Sequence, residues 1–192
     1  VREIINNIFF SLNKEKNSFY SLSEKFNFNH SKFIKFNKYK SIILIGMGGS
    51  SLGAQALYSF FKDKIKKKFF FLDNLDQLKI EKIKQQKNLK NHLFIIISKS
   101  GNTLETLINT NFFRDKINKN NTIIITEKKN NILNVFAKNK KILHVVHKDY
   151  IGGRYSVLSE VGLIPAYFMG LKIKNFRKNL LIFFKSKQKS LL

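Results

Sequence analysis

The sequence predicts an open three-layer α/β domain, a parallel sheet with helices on both faces. Three observations carry that expectation. Short unbroken apolar runs recur along the chain, among them SIILIG (41–46), HLFIIIS (92–98) and NTIIIT (121–126), and a run that is apolar throughout marks a strand covered on both sides. Stretches with apolar residues at helical spacing separate these runs, which is the strand–helix alternation of parallel α/β folds. Two loops rich in glycine and hydroxyl residues follow directly on strand runs, at the carboxyl ends where open parallel sheets hold their ligands.

Residues 1–40 are read as an N-terminal helical and irregular segment. REIINNIFFSL has helical spacing, and the chain from Ser21 to Lys40 runs irregularly into the first strand with a packing or connecting role. The regular order then begins. SIILIG leads into LGAQALYSFF (52–61) as a helix, and FFFLDN (69–74) into a helical stretch through IEKIKQQ (80–86). HLFIIIS leads into NTLETLINTNFFRDKI (102–117), NTIIIT into NILNVFAKN (131–139), and KILHVVH (141–147) into an apolar helix within SVLSEVGLIPAYFMG (156–170). The sheet domain is expected over residues 41–170. Residues 171–192 are expected to open a following, truncated helical region, whose Leu, Ile and Phe would cover a second domain or a dimer partner.

Composition bounds the chemistry. Hydrophobic residues make up 43% of the chain and proline occurs once, which describes a globular chain rather than a disordered or fibrous one. The absence of cysteine excludes disulfides, thiolate metal sites and thiol nucleophiles. No apolar stretch is long enough to span a bilayer, and VREIINNIFFSLNKEK has no small-residue cleavage site, so a cytoplasmic location and no membrane partner are expected. A formal net charge of +24 would draw the chain to a polyanion. The lysines, however, are spread through nearly every segment, and only Arg2, Arg114, Arg154 and Arg177 offer the rigid fork suited to phosphate and base recognition. No specific nucleic-acid partner is expected, and the many Phe are read as bulky core residues.

The first unusual loop is GMGGSSLG, Gly46 to Gly53. Glycine lets the backbone come close to a ligand, and a helix beginning near Ser50 would present free N–H groups to an anion. Gly49 and Ser50 are candidate binding residues here, and Ser50 and Ser51 could donate to a phosphate or to sugar hydroxyls. The competing reading is a tight strand-to-helix turn with an ordinary serine cap. Ser51 stands where the dinucleotide fingerprint needs its third glycine, and no Gly-Lys-Ser/Thr ending completes a nucleotide P-loop.

The second loop, SKSGNTLET, offers the hydroxyls of Ser98, Ser100 and Thr103 within six residues. A phosphate monoester accepts several hydrogen bonds. Gly101 lets the backbone curl, and a helix starting near Asn102 or Thr103 would add its positive end. Lys99 either adds charge or points to solvent and offers its backbone N–H. Glu105 suits the first helical turn and could equally contact a ligand hydroxyl. An Asx or Ser cap would use one or two of these residues and leave the rest unexplained.

In KDYIGGRYS, Gly152 and Gly153 are expected to turn the chain sharply and fix Arg154 before an apolar helix, as a fork for developing oxyanion charge. The competing reading pairs Arg154 with Glu160 or Asp149. His144 and His147 are three apart and should face opposite ways, so no metal site is expected. No G-x-S-x-G elbow supports a serine triad.

GMGGSSLG, SKSGNTLET and GGRYSVLSEVGL together resemble the glucose-6-phosphate isomerase family, in the first sugar-isomerase (SIS) domain, over roughly residues 40 to 170; LDNLD (72–76) is similar to the family's Asn-x-Asp segment. The resemblance implies two SIS-type α/β domains assembled as a homodimer, with no cofactor. It also implies interconversion of glucose 6-phosphate and fructose 6-phosphate through an enediolate. Ser50, Ser98, Lys99, Ser100 and Thr103 match positions around the substrate phosphate, and Gly153 and Arg154 match the sugar end, where the arginine would stabilise the enediolate. Ser100 replaces a threonine common in the family, and Gly101–Asn102 a bulkier pair. The family's base glutamate, histidine and ring-opening lysine come from segments C-terminal to GGRYS and are not matched here. The 192-residue chain is therefore expected to bind a hexose 6-phosphate weakly and to turn it over negligibly. Alternative expectations are a non-catalytic SIS-type sugar-phosphate sensor and an isomerase of dual glucose and mannose phosphate specificity.

Overall fold

Apolar runs of four to six residues become five strands: β1 (Ser41–Ile45), β2 (Lys68–Leu72), β3 (His92–Ile97), β4 (Thr122–Thr126) and β5 (Leu143–Val146). In this computed structural model the described residues are 29–176 except 87 and 88, together with 3, 4, 6, 7, 10, 16, 21 and 178. All strand pairs are parallel, in the order β2-β1-β3-β4-β5. The register sets Ile45 beside both Leu72 and Ile96, and Ile97 beside Ile125. Five helices connect or follow the strands: α1 (Leu52–Phe60), α2 (Gln77–Lys84), α3 (Leu104–Phe112), α4 (Ile132–Asn139) and α5 (Glu160–Phe168).

The strand alternation divides the core in two. Ile42, Leu44 and Ile95 face α1, α5 and Phe33 and Phe36 of the 3-10 turn Ser31–Phe36. Ile43, Ile45 and Ile96 face α2, α4 and the chain just past α3. Each fully buried side chain of this kind contributes roughly 1.5–3 kcal/mol. Both faces of the sheet are thus covered, which makes the three layers of a SIS-type sandwich. Ser31–Phe36 gives the segment before β1 a packing role; the helical spacing read in residues 2–12 falls mostly outside the described residues, as does the amphipathic stretch beyond Phe176. Among the described residues no helix is long and apolar enough to cross a membrane.

Two helices start or stop away from the expected points. Periodicity predicts a helix to residue 117, yet α3 ends at Phe112. Asn and Thr at positions 109–111 are weak helix formers, and the chain turns there so that Phe113 and Ile117 enter the core, with Phe113 against Phe94 at 5.7 Å between ring centroids. The helix expected within 156–170 begins only at Glu160, because Gly153–Leu158 winds as a 3-10 turn first.

β1 and β3 are central neighbours whose following helices leave to opposite faces. This reversal opens a crevice beyond their carboxyl ends, the usual ligand position in such sheets.

Candidate functional site

Beyond Ile97 the chain folds back on itself. Gly101 has φ +70°, a conformation that disfavours any side chain, and its N–H donates to the Ser98 carbonyl at 3.2 Å and to Ser98 Oγ at 3.1 Å. The fold-back brings three hydroxyls together: Ser98 Oγ lies 2.8 Å from Thr103 Oγ1, and Ser100 Oγ lies 3.5 Å from each. Ser98 is buried, Thr103 half-buried and Ser100 exposed, so the cluster opens outward past Ser100. Ser100 Oγ also accepts from Asn102 N at 3.2 Å, a local serine turn.

The loop is clamped by the start of α4. Ile132 N donates to Asn102 Oδ1 at 3.0 Å, and Leu133 N donates to the Gly101 carbonyl at 3.2 Å. A Cβ at Gly101 would also strike the Asn131 side chain. The sequence reading missed Asn102 and Asn131; the one local signal was that Asn131 stands where a helix cap belongs.

The helices α1 to α5 differ at their N-termini. Asp76 caps α2 through Lys79 N, Asn131 caps α4 through Asn134 N, and Ser159 caps α5 through Val161 N. The residues in the corresponding positions of α1 and α3, Ser51 and Thr103, make no side-chain cap. The cap readings for these two loops therefore fail, and the helix starts flanking the crevice keep their N–H groups open. Ser51 is fully buried and its hydroxyl donates to the Gly48 carbonyl at 3.3 Å, so it is not available as a donor to a ligand. Ser50 is half-buried, and its hydroxyl makes no hydrogen bond among the described residues.

The glycine loop lies against the end of β3: a Cβ at Gly46 would come within 2.9 Å of the Ile97 carbonyl and 3.0 Å of Ser50 Cβ. It also touches the arginine loop. A Cβ at Gly49 would run into the Gly153 carbonyl, and Ser156 Oγ contacts that carbonyl at 2.6 Å and the Gly49 carbonyl at 3.2 Å. All three motifs thus meet on one rim. The chain does turn at Gly152 and Gly153, where Tyr155 N donates to the Gly152 carbonyl at 2.9 Å to open the 3-10 turn Gly153–Leu158, but neither glycine has positive φ.

Arg154 is exposed, and its guanidinium makes no ion pair or hydrogen bond among the described residues. The carboxylates that competed for it are engaged. Glu160, 6% exposed, accepts from His147 Nδ1 at 2.7 Å and Lys148 N at 3.0 Å, while Asp149 Oδ1 accepts from Tyr150 N. Lys99 Nζ donates to the Asp149 carbonyl at 2.7 Å and lies 3.6 Å from Glu127 Oε1. Its ammonium is therefore engaged by protein groups rather than left to solvent. Glu105 is exposed on the first turn of α3.

Beyond β2, burial would raise the Asp73 carboxyl, but hydrogen bonds from Lys79 at 3.0 Å and Gln55 at 3.1 Å outweigh it and hold Asp73 below the usual carboxylate range. In the LDNLD segment, the Asn74 carbonyl accepts from Asn109 Nδ2 at 2.9 Å and Asp76 is a cap.

A sequence model described as phosphoglucose isomerase matches residues 5–181. The glucose-6-phosphate isomerase of Borrelia garinii subsp. bavariensis is 36% identical over 169 residues, covering 81% of this chain and 31% of that protein. Among solved structures, a glucose-6-phosphate isomerase from Chlamydia trachomatis superposes with a TM-score of 0.60 at 27% identity, over 71% of this chain and 29% of that one. A hypothetical protein of Thermus thermophilus shares the fold at a TM-score of 0.78 and 22% identity, covering 95% of this chain and 47% of its own. The chain spans about a third of the length of curated relatives such as this Borrelia isomerase.

Proposed function

The chain belongs to the phosphoglucose isomerase family, and from that premise we propose that it supplies the phosphate cup and the oxyanion-stabilising cation of a glucose 6-phosphate–fructose 6-phosphate isomerase. The observation that carries this is the convergence of the Ser98, Ser100 and Thr103 hydroxyls beside the open N-terminus of α3. Neutral donors and a helix end suit a dianion that must be released after each turnover. Ser50 and the Gly49 backbone close the cup from the β1 side, and the Lys99 N–H adds a further donor. Gly153 brings Arg154 to the sugar end, and Glu105 reaches a sugar hydroxyl.

In the reaction so read, the ring opens, a carboxylate removes the proton on C2, and the proton returns at C1. Negative charge gathers on the enediolate oxygens, and Arg154, whose guanidinium has no partner among the described residues, would stabilise it. The base is assigned to family segments beyond those matched here, so the chain by itself is proposed to bind a hexose 6-phosphate without appreciable turnover. We assign the SIS-type domain to residues 41–170 and propose a homodimer for the full family form.

Calorimetric titration of the 192-residue chain with fructose 6-phosphate and with fructose tests the reading. Ser98→Ala should weaken the phosphate ester at least about tenfold, as expected for a lost hydrogen bond to a charged group. Equal affinity for the sugar with and without its phosphate would contradict it.

A further inference from the structure

Lys99 stands between two hydroxyls of the cup, yet its ammonium reaches out of the loop. Nζ donates to the Asp149 carbonyl at 2.7 Å and lies 3.6 Å from Glu127 Oε1. At its other end the Lys99 carbonyl accepts from Glu127 N at 3.1 Å and from Thr126 Oγ1 at 3.2 Å. Backbone and side chain therefore belong to different parts of the site: the backbone to the cup, the ammonium to the segment that runs from β5 to Arg154. That segment is fixed from behind as well, because Lys148 N donates to Glu160 and Ile151, fully buried, donates its N–H to the Lys148 carbonyl at 3.1 Å.

We infer that Lys99 is a positioning residue that ties the hydroxyl cup to the Arg154 loop, and that its ammonium is not a phosphate ligand. The inference rests on the proposed reading of the cup as the phosphate end and Arg154 as the sugar end. An ammonium has three donors; here one is held by the Asp149 carbonyl, and the nearest opposite charge is the buried Glu127 carboxylate. Glu127 retains Lys129 at 2.6 Å from its second oxygen, so removing Lys99 does not strand a buried charge. Ordering of the Ser98–Thr103 backbone by an anion is thus transmitted to Asp149, five residues before Arg154.

The test uses the whole 192-residue chain, Lys99→Met and Lys99→Arg, with inorganic phosphate and fructose 6-phosphate as ligands and amide exchange over residues 148–156 as a ligand-free readout. Lys99→Met removes only the ammonium and keeps the backbone N–H assigned to the cup, so it should hold inorganic phosphate within about twofold of the parent and lose about fivefold for fructose 6-phosphate, as a coupling between two subsites requires. Amide exchange over 148–156 should quicken about tenfold in that variant and return towards the parent rate in Lys99→Arg, which keeps a donor of similar reach. Loss of about tenfold for both ligands with unchanged exchange would overturn the inference and make Lys99 a direct phosphate ligand. If the parent chain binds neither ligand, the phosphate-site reading fails, while the exchange rates still decide whether the tether exists.

Discussion

The helix starts that follow β1 and β3 and the other three are built differently. α2, α4 and α5 each begin on a side chain that accepts one of the first free N–H groups: Asp76, Asn131 and Ser159. α1 and α3 begin on Ser51 and Thr103, residues equally suited to capping, and neither caps. Thr103 instead directs its hydroxyl to Ser98, and Ser51 bonds back to Gly48. The difference teaches that the same residue types can close a helix for stability or leave it open, and under the proposed function the open starts are the ones that meet the phosphate. An uncapped start sacrifices about 1 kcal/mol of helix stability, and at this crevice an anion would restore it.

The largest test of that contrast lies behind the arginine loop, where Glu160 holds both His147 and the Lys148 N–H. Glu160→Ala leaves the buried His147 ring and the Lys148 N–H without this partner and should lower unfolding stability by about 3 kcal/mol, read by chemical denaturation. Thr103→Val probes the open start: affinity for fructose 6-phosphate should fall about tenfold, while stability falls by about 1 kcal/mol through the lost Ser98 hydrogen bond rather than through a cap. Asp76→Ala is the reverse case. It should cost about 1 kcal/mol of stability and leave sugar-phosphate affinity unchanged.

The smallest effect concerns pH. Asp73 has a depressed carboxyl pKa in the folded state, so its contribution is present above the ordinary carboxylate value and fades as pH falls through the folded one. Asp73→Asn should therefore lower the melting temperature slightly near neutrality and flatten its loss on acidification below about pH 4. A parallel acid limb in both proteins would mean that Lys79 and Gln55 do not hold this carboxylate.

Much of this was legible in advance, for reasons that differ from element to element. Unbroken isoleucine runs such as Ile95–Ile97 and Ile123–Ile125 admit little but a strand buried on both faces. The hydroxyl cluster was legible because its members lie within six residues of one loop, so local geometry suffices. The Asn102–Ile132 bond spans thirty residues and depends on how α4 starts after β4, which no local pattern encodes. The direction of Lys99 was equally hidden, since a flexible stem is aimed by tertiary partners, here Asp149 and Glu127. No carboxylate is evident beside His147 in the sequence; only folding brings Glu160 to it, and that pairing leaves Arg154 without one of the two carboxylates that competed for it.

A crystal structure of the chain with fructose 6-phosphate would test the central claim most directly. The account predicts the phosphate oxygens within about 3 Å of the Ser98, Ser100 and Thr103 hydroxyls and of the first N–H groups of α3, with the sugar extending towards Arg154. A phosphate held by surface lysines away from the carboxyl ends of β1 and β3, with the cup empty, would contradict it.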